Sequence, residues 1–211
     1  MALYKQLPQK KEKAADLPFY RPIDRLFLMI QEKRGMLAPF LVTAAILVLL
    51  YGGFRFYSQN YEAKASGLFN QEKLEEVTRE LPRSRVASVA RVKLGSQALE
   101  VGQWDKAVQW LEPVTQDSQV SPLLKIVALQ NLALSRLKQG SPQKAIELLN
   151  RAAKDPQNAA SDYSSLLLAQ VYEENGDLDR AKEIYKTLAG GSKIYGVQNE
   201  AKARSGWLEK K

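Results

Sequence analysis

The chain contains neither cysteine nor histidine. Thiol nucleophiles and disulfides are therefore excluded, as are most zinc sites and the side chain that most often moves protons near neutral pH. The missing cysteine is compatible with a reducing or an oxidising compartment, so topology has to decide location. The glycines form no GxGxxG and no phosphate-binding loop, and an HExxH motif is impossible without histidine. Gly190 and Gly191 read as a helix end, because no Lys-Ser/Thr follows them. Acidic neighbours such as Glu75-Glu76 and Glu173-Glu174 point apart on a helix and mark solvated faces. An enzyme is not expected, nor is a metal or other cofactor.

A concentrated basic face is also missing, although the formal net charge is +8. Residues 1–57 hold nine basic groups against four acids, and the remainder is only mildly basic at +3. Nucleic acid is thus not an expected partner. In the 211 residues there is room for one ordinary domain with an attached segment.

Residues 36–54, MLAPFLVTAAILVLLYGGF, run 19 positions without a charge. At 1.5 Å per residue this approaches the ~20 residues that cross ~30 Å of hydrocarbon. Pro39 falls in the first turn of such a helix, where its missing N–H costs little. Phe54, Phe56, Tyr57 and Tyr61 gather beside Arg55 as an interfacial belt would. A transmembrane helix over 36–57 is expected, uncleaved, since the 35 residues ahead of it are long for a signal peptide. Arg21, Arg25, Lys33 and Arg34 outweigh the basic residues just beyond the span, which places the N-terminus in the cytoplasm. In a bacterium with two membranes the remainder would face the periplasm. Residues 1–35 read as a basic tail. Within it, IDRLFLMIQEKR segregates Ile23, Leu26, Phe27 and Ile30 from Asp24, Arg25 and Gln31. Two arrangements fit: a helix on the inner leaflet, or an extension of the span.

Downstream, one local pattern recurs in GQWDKA, GSPQKA and GDLDRA. Gly102, Gly140 and Gly176 are 38 and 36 residues apart, within the range of about 20–50 that marks stacked repeats. Each glycine separates two apolar helical stretches, so a helical hairpin with a tight turn is expected. Gly95, Ala133 and Ala169 on the first helices, with Ala107, Ala145 and Ala181 on the second, allow close approach. These residues resemble tetratricopeptide repeats over roughly 88–195, with Ala98 and Arg136 standing where that pattern usually has tyrosine. The expected fold is all-α: a tetratricopeptide-like helical-hairpin solenoid preceded by a single transmembrane helix. Helices within 58–87 would cap its leading end through Tyr61, Ala65, Leu68, Phe69, Leu74, Val77 and Leu81. Residues 196–211, with Val197, Ala201 and Trp207, would form a closing helix.

The layout of one amino-terminal anchor and a short repeat array resembles the YfgM family of bacterial inner-membrane proteins. That resemblance implies repeats in the periplasm and association with the Sec translocon and periplasmic chaperones. In the tetratricopeptide register the groove is lined by Val89, Val92, Ser96 and Leu99, then Val127, Gln130, Leu134 and Leu137, then Tyr163, Leu166, Gln170 and Glu173. Most are apolar. The Lys, Arg and Asn set that grips a carboxylate terminus is missing apart from Asn131, so an apolar segment or an internal helix is the better occupant. A scaffold or chaperone-like adaptor at the inner membrane is the first functional expectation, with proteins and membrane lipid as partners. A structural subunit of a larger cell-envelope complex is the alternative, and homo-oligomerisation is compatible with both.

Overall fold

The computed structural model describes the backbone of residues 34–210 and the side chains from Pro39 onward. The basic tail and its amphipathic stretch from Ile23 lie almost entirely outside the described residues. Nine helices and no strand occur among those described: α1 (Arg34–Asn70), α2 (Leu74–Glu80), α3 (Arg85–Glu100), α4 (Trp104–Gln116), α5 (Pro122–Lys138), α6 (Pro142–Lys154), α7 (Ser161–Glu174), α8 (Leu178–Gly191) and α9 (Tyr195–Leu208).

Two compact units divide the chain, Met1–Ser58 and Gln59–Lys211. In the first, α1 exposes Phe40, Leu47, Leu49 and Phe54, each at least 60% accessible. Burying such side chains normally stabilises a protein, so an apolar stretch this exposed matches a lipid-facing surface. Among the described residues one helix, over Pro39–Asn70, is long and apolar enough to cross a membrane. Thr43 returns its hydroxyl to the Pro39 carbonyl, which satisfies a polar group in that apolar setting. Helix α1 does not stop at the 57/58 boundary expected for the anchor; it continues to Asn70.

The second unit is a stack of helical hairpins. The starts of its helices follow from local chemistry. Ser84 and Ser121 accept hydrogen bonds from the Ala87 and Leu124 amides, and Asp177 accepts from Arg180. Each satisfies a backbone donor that the first helical turn leaves unpaired. Pro122 and Pro142 occupy first-turn positions that need no N–H.

The turns within the hairpins share one geometry. Gly102, Gly140 and Gly176 have φ of +74°, +74° and +82°. The following residue donates to the carbonyl five positions back in each case: Gln103 to Ala98, Ser141 to Arg136 and Asp177 to Tyr172. This left-handed closure ends one helix and reverses the chain. The turn between α1 and α2 repeats it, with Lys73 donating to Leu68. Its left-handed residue is Glu72, at φ +59°. The end of α1 and α2 therefore form a hairpin like the other three, with a glutamate where the others have glycine. Ala65, Leu74, Val77 and Leu81 make its core against Ala87 and Ala90, and Tyr61, Leu68 and Phe69 pack on it.

Between the helices of each hairpin, small residues set the spacing. Ala107, Ala133, Ala145, Ala169 and Ala181 are wholly inaccessible. One turn after each second-helix alanine stands a large residue, Leu111, Leu149 or Tyr185, also wholly buried. A Cβ placed on Gly95 would lie 2.5 Å from Leu111 Cγ and 2.7 Å from its Cδ2. Leu111 is wholly buried in a dense interior, so Gly95 fixes how near α3 and α4 come.

Gly95→Ala is expected to destabilise the repeat unit by about 1–3 kcal/mol through overpacking, read as a lower urea midpoint. Glu72→Gly is expected to act in the opposite sense, by roughly 0.5–1 kcal/mol, because the left-handed strain outweighs the extra freedom of the unfolded glycine. Thermal melts of Glu72→Gly and Glu72→Ala side by side check this: only the glycine variant should melt higher.

Candidate functional site: the face of the first helices

Helix α5 packs against both α3 and α7, each helix also packs against its hairpin partner, and α9 continues the row against α7. At least one hydrogen bond crosses each step of this row. Asn131 Nδ2 donates to Ser96 Oγ at 2.8 Å, Gln130 Nε2 to Ser164 Oγ at 2.8 Å, and Gln170 Nε2 to Glu200 Oε1 at 2.8 Å. Asn158 adds a further donor to Ser164 at 3.0 Å and bonds the Ala152 carbonyl at 2.7 Å. Satisfied buried amides fix the relative rotation of neighbouring helices, because breaking one strands a desolvated polar group.

The residues expected in the groove separate into layers by register. Val92, Gln130 and Leu166 occupy equivalent positions and are 8%, 8% and 2% exposed. They form the buried floor of this face. Val89 and Tyr163, at the rim, are 42% and 45% exposed, and the equivalent Val127 is half-buried. Ser96, Leu134 and Gln170 form another half-buried row, and Leu99, Leu137 and Glu173 a third. The accessible surface is therefore apolar at the rim and mixed along its length.

At the α7–α9 end the surface becomes charged. Glu173 accepts from Tyr185 Oη at 2.8 Å and from Arg204 Nη1 at 3.2 Å. Gln170, Glu173, Glu174, Leu178, Arg204 and Trp207 line a cleft of about 360 Å³ there. Burial, and then the bond to the Glu173 carboxylate, raise the pKa of Tyr185 above its ordinary 10.0. Sequence reasoning missed Glu200 and Arg204 as members of this face. Each sits on the charged side of α9, and its partner is about thirty residues away. It also missed Ser164 and Asn158, two small polar residues among alanines and leucines that carry no motif.

The tetratricopeptide repeat family model matches residues 136–190, from the end of α5 to the end of α8. No curated protein and no solved structure matches the chain. Stacked helical hairpins, the shared turn and this match define an all-α tetratricopeptide-like solenoid preceded by a long apolar helix. Repeats of this class are protein–protein interaction modules, so the chain is an interaction adaptor in the general sense, with protein partners.

Because the folded state holds Tyr185 protonated, that contribution is complete below pH 10 and is lost as pH rises through the higher folded value. Comparing wild type with Tyr185→Phe in urea at increasing alkaline pH should show a steeper loss of stability for the wild type above pH 10. Parallel profiles would show that Tyr185 titrates as freely in the folded chain as in the unfolded one.

Proposed function

We propose that the chain is a single-pass protein of the bacterial inner membrane, with its N-terminus in the cytoplasm and its repeats in the periplasm. There it serves as a scaffold or chaperone-like adaptor near the Sec translocon. Residues 36–57 form the anchor, 58–87 lead into the array, 88–195 form the three repeats, and 196–211 close it. The observation that carries this reading is the pairing of an exposed apolar helix with an interaction module whose accessible face has an apolar rim at Val89, Val127 and Tyr163. The compartment and the translocon come from the resemblance in layout.

The groove is proposed to hold apolar segments of clients or partners through Val92, Ser96, Leu99, Val127, Gln130, Leu134, Leu137, Tyr163, Leu166, Gln170 and Glu173. Contact falls first on the rim and the half-buried rows, with the floor setting their spacing. Gly95, Gly102, Ala107, Ala133, Gly140, Ala145, Ala169, Gly176 and Ala181 are proposed as the packing residues that hold this face in shape. None of these groove residues is basic, so recognition is proposed to rest on apolar burial.

Photo-crosslinking from position 134 or 163 in native membranes, followed by purification of the adducts, tests the reading. Leu134→Glu should reduce partner capture by roughly tenfold or more while the repeat unit still melts cooperatively. Tyr163→Ser, at the exposed rim, should do the same with less effect on folding. Undiminished capture by both variants would move the partner surface away from the first helices.

A further inference from the structure

Residues 81–99 carry four basic side chains, Arg83, Arg85, Arg91 and Lys93, and no acid. That segment alone exceeds the net +3 of everything beyond residue 57, so the rest of the repeat region has a slight acidic excess. Lys93 is occupied by Glu72 at 3.8 Å and by the Phe69 ring. Among the described residues no carboxylate lies within ion-pair distance of the other three guanidinium groups.

The backbone around these arginines is pinned. The Arg83 amide donates to Tyr61 Oη at 3.4 Å, and the Arg85 amide donates to the Glu62 carboxylate at 3.0 Å. Arg91 reaches back to the Pro82 carbonyl with both Nη atoms, at 3.4 and 3.5 Å. The short loop between α2 and α3 is thus tied down by its main chain, while the side chains of Arg83 and Arg85 are exposed. Both Glu62 carboxylate oxygens accept from the Arg85 amide.

Chain length bounds where this loop can be. Tyr61 follows Tyr57, the last residue of the proposed span, by four positions. Even fully extended, four residues reach only about 14 Å. The headgroup zone extends about 5–8 Å beyond the hydrocarbon, and the field of an anionic surface reaches a further ~8 Å at physiological salt. Arginine forks match phosphate geometry and are weakly hydrated, which suits a crowded, partly dehydrated surface.

We propose that Arg83, Arg85 and Arg91 form an interfacial patch that seats the repeat unit on anionic phospholipid headgroups beside the anchor. This rests on the membrane anchoring proposed above and adds a specific lipid contact to it. Each arginine near an anionic surface contributes about a fivefold gain in association. The contact would restrict the orientation of the repeats relative to the membrane.

The absence of native cysteine allows a fluorophore to be placed at Pro82→Cys in the full-length chain. The protein is reconstituted in nanodiscs of phosphatidylcholine, or of equal parts phosphatidylcholine and phosphatidylglycerol, each with a headgroup nitroxide quencher. Stronger quenching in the anionic discs is expected. The increment should vanish in Arg83→Gln/Arg85→Gln/Arg91→Gln and persist in the matching triple lysine variant, with thermal melts showing both folded. Equal quenching in the two lipids, with the protein retained in the discs, overturns the lipid patch and leaves the anchor standing. Loss of the protein from both kinds of disc overturns the anchor itself. Loss of the quenching increment on adding inorganic phosphate, where sodium chloride of equal ionic strength has no effect, would reassign the patch to free phosphate. Arginine-dependent binding of a polyglutamate peptide without any lipid dependence would reassign it to an acidic protein segment.

Discussion

Close approach of paired helices through small side chains is the constraint on which the repeat unit depends. Where Ala107, Ala145 and Ala181 meet their partner helices, the spacing is set by a methyl group, and at Gly95 by a hydrogen. That proximity lets Leu111, Leu149 and Tyr185 bury completely between layers that are only one helix thick. Apolar burial at roughly 25 cal/mol per Å² is the main favourable term, and a loosened hairpin would forfeit it along with the dispersion contacts of a dense interior. The stack is additive: each hairpin covers the next, so its order is propagated from neighbour to neighbour.

Polar contacts then turn a stack into a defined face. Gln130, Asn131 and Gln170 each bridge two successive first helices, and all three are at least partly shielded from water. An apolar contact between helices tolerates sliding, whereas a directional bond in a low-dielectric setting does not. The apolar rim is consequently presented at fixed spacing. A preformed surface loses less conformational freedom on binding than a mobile one, which suits an interaction module.

Much of this was legible in the residues. The turn glycines announced three hairpins because a left-handed backbone excludes most side chains, and the alanines around them marked the contacts because nothing larger fits. The leading hairpin was harder to read. Its turn carries Glu72 in place of glycine, and its first helix is continuous with the apolar span, so the repeat signal is erased at both ends. Likewise, register alone placed Val92, Gln130 and Leu166 on the groove side of the first helices. Register gives the side of a helix, but burial depends on how closely the neighbouring first helix approaches.

The amino-acid sequence by itself determined the helical class, the period, the turn positions and the long apolar stretch, since each follows from local sterics or from summed hydrophobicity along a short window. Tertiary structure alone decided which polar residues pair across the row of first helices, how Glu173 is shared between Tyr185 and Arg204, and which arginines have no carboxylate within ion-pair distance among the described residues. Those outcomes join residues about thirty positions apart or depend on what every neighbouring element supplies. Non-local partners of this kind leave no periodic mark on the chain.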